Sequence, residues 1–110
     1  MAKRLSIPST IKVGPHQINV RFVDVPDHSE PGEFVFGTWD IKKLEIQIRK
    51  GLDPSMEWET FWHEVVECIN EMTDAGLPHT LIQTFGLLLS DVCAGMKICN
   101  CQKLNETKAK

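Results

Sequence analysis

Residues 51–59 read "GLDPSMEWE", and at this stretch the hydrophobic rhythm of the chain changes. Before it, apolar and polar residues alternate, which is the period of a half-buried strand. After it, apolar residues recur every three or four positions, which is the period of an amphipathic helix. Asp53 is a good N-cap, because its carboxylate can accept from the free backbone N–H groups of a first turn. Pro54 suits the first helical position, where a missing N–H costs nothing. Glu57 and Glu59 add negative charge near the positive end of the helix dipole. Strands are therefore expected before this stretch and helices after it, and the domain reads as α+β.

Downstream, Trp58, Trp62, Val65, Ile69 and Met72 recur at helical spacing as one buried stripe, widened by Phe61, Val66 and Cys68. Gly76 is expected to end this helix and Pro78 to help start another. The second helix is expected from about His79 to Ile98, with Leu81, Phe85, Leu88, Val92 and Met96 in phase and Ile82 and Leu89 broadening the apolar face.

Upstream, "IKVGPHQINVRFV" (11–23) reads as a short strand, a tight turn at Gly14-Pro15, and a longer strand with Ile18, Val20 and Phe22 on one face. "DVPDHSEPGE" (24–33) is a loop. "FVFGTWD" (34–40) and "KLEIQIRK" (43–50) form a second pair joined by Ile41 and Lys42, with Leu44, Ile46 and Ile48 on one face. The expected architecture is a small antiparallel sheet of about four strands packed on two long helices, one domain to about residue 104, with a disordered tail at 105–110.

The bulk composition agrees with such a domain. The chain has 110 residues, 42% hydrophobic and 25% charged, enough for one two-layer core and too few for two. With no apolar run long enough to span a bilayer and no signal-peptide pattern, a cytoplasmic protein is expected, without a membrane partner. Cys68, Cys93, Cys99 and Cys101 are then read as reduced thiols. A net charge of −3 argues against nucleic-acid binding. Its distribution is uneven: from Gly51 to Met96 there is no Lys or Arg, while Asp53, Glu57, Glu59, Glu64, Glu67, Glu71, Asp74 and Asp91 all lie there. Such a region either attracts a cation or is simply a solvated acidic face.

Within that region "FWHEVVECIN" (61–70) places His63, Glu67 and Asn70 within an arc of about 60° on one edge of the helix. An imidazole and a carboxylate four residues apart stand close enough to share one tetrahedral zinc ion. The best third ligand is His79, just past the Gly76–Pro78 turn, with Asp74, Asp91, His16 and His28 as fallbacks and Gln83 a poor donor. The reach is demanding, since Asp74 lies roughly 16 Å along the helix axis from His63; the chain must fold back strongly for His79 to return. A plainer reading of the same residues is a half-buried His63 paired with Glu67 or Glu59, and a His79 that only opens a helix.

The segment "ETFWHEVVECINEMTDAGLPHTLIQTFGLLLSDVC" (59–93) resembles the signature half of small phage and prophage zincin-like proteins, compact relatives of the HExxH metallopeptidases. Glu59-Thr60 is similar to that family's lead-in, His63-Glu64 to its core and Ile69-Asn70 to the close of its helix. "GTWDIKKLEIQI" (37–48) resembles the strand pair before it, so the likeness spans about residues 11 to 95. The chain departs from the common pattern twice, with Glu67 where a second His is usual and His79 where a downstream carboxylate is usual. The set remains two imidazoles and one carboxylate.

The resemblance implies one zinc ion on His63, Glu67 and His79. It further implies peptide hydrolysis with Glu64 as catalytic base, and a peptide or protein substrate paired along the edge of residues 34–40. Many such peptidases use a tyrosine or a histidine to stabilise the oxyanion; this chain has no tyrosine, and His16 and His28 could serve only if the fold brings them close. The alternative is a catalytically inactive zincin-like binding module, a phage accessory protein.

Overall fold

The computed structural model describes residues 6–96. Four strands, β1 (Thr10–Val13), β2 (His16–Val23), β3 (Gly37–Asp40) and β4 (Glu45–Arg49), precede two helices, α1 (Pro54–Thr73) and α2 (His79–Met96). The expected boundary near residue 104, the tail at 105–110, Ile98, Cys99 and Cys101 lie outside the described residues. Cys68 and Cys93 are free thiols. Among the described residues no helix is long and apolar enough to cross a membrane.

The α+β class holds, and the period change at residues 51–59 is where strands give way to helices. Asp53 caps α1, its side chain accepting from Ser55 N at 3.0 Å, and Pro54 opens the helix. The expected antiparallel sheet is corrected at its centre. Strand order is β1-β2-β4-β3, with β1–β2 and β3–β4 antiparallel but β2–β4 parallel, Val20 beside Ile46 and Phe22 beside Ile48. Both turns give antiparallel neighbours, as read, but the second spans 41–44 rather than Ile41 and Lys42 alone, and β3 occupies only Gly37–Asp40 of the expected 34–40. The long segment 24–36 instead carries the chain past the position of β4, so that β3 becomes an edge and β4 fills the gap beside β2.

One sheet face carries Ile18, Val20, Ile46 and Ile48, all buried, and meets Phe61, Val65 and Cys68 of α1 in the core. Phe22, expected on this face with them, is 37% exposed. The opposite face is covered by the segment 24–36. Its Asp27 N–H donates to Gln47 Oε1 at 2.8 Å, and the Arg49 guanidinium lies 4.1 Å from the centre of the Phe34 ring while donating to Val35 O. That is why Gln47, a polar residue in the alternating pattern, is only 3% exposed.

The helical stripes are also corrected. The buried line of α1 runs through Phe61, Val65 and Cys68, with Trp58, Trp62 and Met72 partly buried beside it and Ile69 exposed. The line is rotated because α1 is covered on two sides, by the sheet and by α2. In α2, the expected core residues Leu81, Phe85, Leu88 and Val92 are exposed, and among its described side chains only Ile82 is a buried hydrophobic. Gly86 is the point of approach to α1: a Cβ there would stand 2.8 Å from His63 Cα. The layers are thus sheet, α1, α2, with α2 outermost.

Candidate metal site and adjoining cleft

The expected ligands come together. Glu67 Oε2 lies 3.6 Å from His63 Nε2 and 3.7 Å from His79 Nδ1, and the two imidazole rings meet edge-on with centroids 5.5 Å apart. One donor atom from each of His63, Glu67 and His79 can be chosen so that all lie within 4.8 Å of one another. A tetrahedral zinc with bonds of about 2.0–2.1 Å holds its ligand atoms roughly 3.3 Å apart. The two His–Glu pairs stand near that spacing, and small side-chain rotations close the remainder. The donor set, two imidazoles and a carboxylate, is chemically one that zinc accepts.

The demanding step was the return of His79, and three local features produce it. α1 stops at Thr73, one residue short of the point from which the reach was measured. Asp74 caps the helix two residues before the expected Gly76, and both take left-handed conformations (φ 54° and 68°), which turns the chain. The Asn70 side chain then accepts from Leu77 N at 2.8 Å, and Asn70 O accepts from Ala75 N at 3.1 Å. Asn70 therefore lies on the ligand edge of the helix as expected, but its work is to hold the turn. Pro78 O accepts the first backbone bonds of α2, from Leu81 and Ile82, which sets His79 at its opening.

Glu64 lies on a different side of α1, near the sheet. It is 8% exposed, and burial, reinforced by the nearby Glu67 charge, pushes its carboxyl up to about 8. The close approach that buries it depends on Gly37 of β3, where a Cβ would meet Thr60 Cγ2 at 2.6 Å and Gln47 O at 2.8 Å. Burial, with His79 adding to it, also lowers the pKa of His63 against the opposing pull of Glu67. A neutral imidazole at neutral pH has its lone pair free for a metal.

His63 and Glu64 share a cleft of about 240 Å³, whose wall also includes Phe36, Gly37, Glu59, Thr60 and Gln83. The cleft meets β3 at its first residue, Gly37, and β3 is an edge strand that pairs only with β4 among the described residues. The fallback ligands are elsewhere. His28 pairs with Asp40 at 3.0 Å, His16 lines a separate cavity at the Gly14–Pro15 turn, Asp74 serves as the helix cap, and Asp91 lies three turns along α2 from His79.

Sequence reasoning missed Gly37, Gly86 and the place of Gln83 in the cleft. Gly86 carried a signal, since a glycine inside a helix costs about 1 kcal/mol relative to alanine and calls for a packing reason. Gln83 carried none beyond its position one turn from His79. Comparison with known proteins yields no matching family model, no matching curated protein and no matching solved structure.

Proposed function

We propose that the domain binds one zinc ion through His63, Glu67 and His79 and hydrolyses peptide bonds, with Glu64 as general base. The observation that carries this reading is the convergence of the three donors across a chain reversal, beside a cleft that His63 shares with Glu64. A bound zinc would supply a Lewis acid for a carbonyl oxygen and make a coordinated water more acidic.

The other roles fall to the chain itself. The Glu64 carboxylate accepts a proton and passes it to the leaving amine. A carboxyl near 8 in the metal-free protein is drawn down by a nearby cation, towards neutrality, where such a group serves in both directions. The open edge of β3 at Gly37 offers backbone groups to an extended peptide. The Gln83 amide stands on the cleft wall as a neutral hydrogen-bond donor in a chain without tyrosine.

A second reading, a metal-bound module without turnover, is favoured by the absence of any Lys, Arg or Tyr among the cleft-lining residues. Metal analysis of protein purified without chelator should give about one zinc per chain, lost in His63→Ala and in His79→Ala. A native protein without near-stoichiometric zinc refutes the site. Glu64→Gln should keep the zinc and lose cleavage of a peptide library. A zinc-loaded native protein that cleaves nothing in that library leaves the module as the function.

A further inference from the structure

The outer face of α2 is built to meet another helix. Leu81, Phe85, Leu88 and Val92 follow one another at spacings of four, three and four, which is the seam spacing of a coiled coil, and they fall within an arc of about 60°. Leu89 borders this stripe. The five side chains are between 36% and 51% exposed. The helix touches α1 on its other side, through Gly86 and Ile82.

We propose that this face pairs with the same face of a second copy of the chain, forming a two-fold dimer. Charge argues for a copy of the chain as the occupant. Between His79 and Met96 the only Asp, Glu, Lys or Arg is Asp91, so two α2 helices approach without the repulsion that the acidic remainder of residues 51–96 would impose. Amphipathic helices that lie on anionic lipid carry Lys and Arg on their own polar face, and residues 79–96 have neither, which argues against a membrane surface as the occupant. A basic peptide would find one carboxylate to pair with.

Area argues in the same direction. The stripe offers roughly 400 Å² of apolar surface, the size at which a patch on a monomer is often functional. It makes up about half of the ~800 Å² per partner that a standard interface buries. Thr84 and Asp91, on the side of the stripe next to Leu88, supply a polar margin there. Stability argues for it as well: an isolated helix of this length is marginal, and α2 has one buried hydrophobic among its described side chains to hold it to the rest of the domain. This inference is independent of the proposed zinc site, since His79 lies on a different face of α2.

The test uses two neighbouring leucines. Leu88 and Leu87 are 51% and 52% exposed, but Leu88 lies on the seam and Leu87 on the far side of the helix from it. Light-scattering mass on a sizing column, from about 1 to 100 μM, should give twice the 12.5 kDa chain mass for the native protein and for Leu87→Asp. Leu88→Asp should run at the single-chain mass with an unchanged far-ultraviolet circular dichroism spectrum. A native protein that is monomeric throughout this range overturns the proposal, whether or not the variants fold, and its co-sedimentation with lipid vesicles would assign the face to a membrane surface. A dimer that survives Leu88→Asp, or one that Leu87→Asp also dissociates, overturns it too, because the interface then lies elsewhere.

Discussion

α1 and α2 follow one another in the chain, have 20 and 18 residues, and both show apolar residues at helical spacing. Yet α1 buries a glutamate, Glu64 at 8% exposure, while α2 leaves Phe85 and Leu88 at 41% and 51%. The cause is layering. α1 lies between the sheet and α2, so most of its circumference is covered and even its polar positions are drawn into packing. α2 is the outer layer and is covered along one line only. Periodicity thus locates the apolar side of a helix, and only the number of layers decides whether that side is filled from within the chain.

The sharpest way to break this comparison is to truncate one large side chain on each helix. Phe61 is 3% exposed and packs edge-on against Trp58 and Trp62, with ring centroids 5.7 and 5.2 Å away. Phe61→Ala should cost about 3–5 kcal/mol in urea unfolding, the usual range for an aromatic removed from a core. Leu88→Ala, measured at a concentration low enough to keep the protein monomeric, should stay within about 0.5 kcal/mol of the native protein. Comparable losses at the two positions would mean that the outer face of α2 is packed within a single chain.

The same contrast explains what could be read from the sequence. The helix start at Asp53-Pro54, the Gly14-Pro15 turn and the shared face of Ile46 and Ile48 rest on local chemistry and appear in the fold as read, whereas the second turn takes four residues, 41–44, and Gln47 is buried against the expected alternation of β4. The three donors were legible because two of them lie four apart on one helix and the third lies just past a turn. The parallel β2–β4 pair was not legible, since nothing in 24–36 distinguishes a loop that returns from one that passes over. Nor was the rotation of the α1 stripe, which depends on α2 approaching at Gly86. The end of α1 at Asp74, ahead of Gly76, was not legible either: both are left-handed, and aspartate is among the few non-glycine residues that adopt that conformation readily.

Gly86 is where the two helices can be pried apart. In an open helix position, Gly→Ala should stabilise by about 1 kcal/mol, because alanine has the better helix propensity. At Gly86 the added methyl would stand 2.8 Å from His63 Cα and 3.0 Å from His63 N, and backbone cannot yield as a flexible side chain does. Gly86→Ala is therefore expected to lose about 1–3 kcal/mol in thermal or urea unfolding, the usual cost of overpacking. By moving α2 it should also carry His79 away from Glu67 and weaken zinc binding by about 10-fold or more in a chelator competition. A stabilised variant with unchanged zinc affinity would show that α2 does not lie so close to α1.

The smallest effect tests the polar side of the comparison, the acid that α1 buries. Glu64 in the metal-free fold holds its proton up to about 8, against the ordinary value of 4.5. A raised carboxyl stabilises the fold below pH 4.5, and that contribution is lost as pH climbs from 4.5 through 8, because the unfolded chain ionises first. Gln is close in shape to the protonated acid and does not titrate. In chelator, Glu64→Gln should therefore melt near the native protein at pH 5 and above it at pH 8, by at least about 4 °C if 1 kcal/mol of the linkage survives solvent access from the cleft. His63, whose pKa is lowered by burial, titrates in both proteins and largely drops out of the difference. A melting difference that is flat across this range, or that shrinks as pH rises, would mean that Glu64 is already ionised in the metal-free fold and that the sheet side of α1 admits more water than its burial implies.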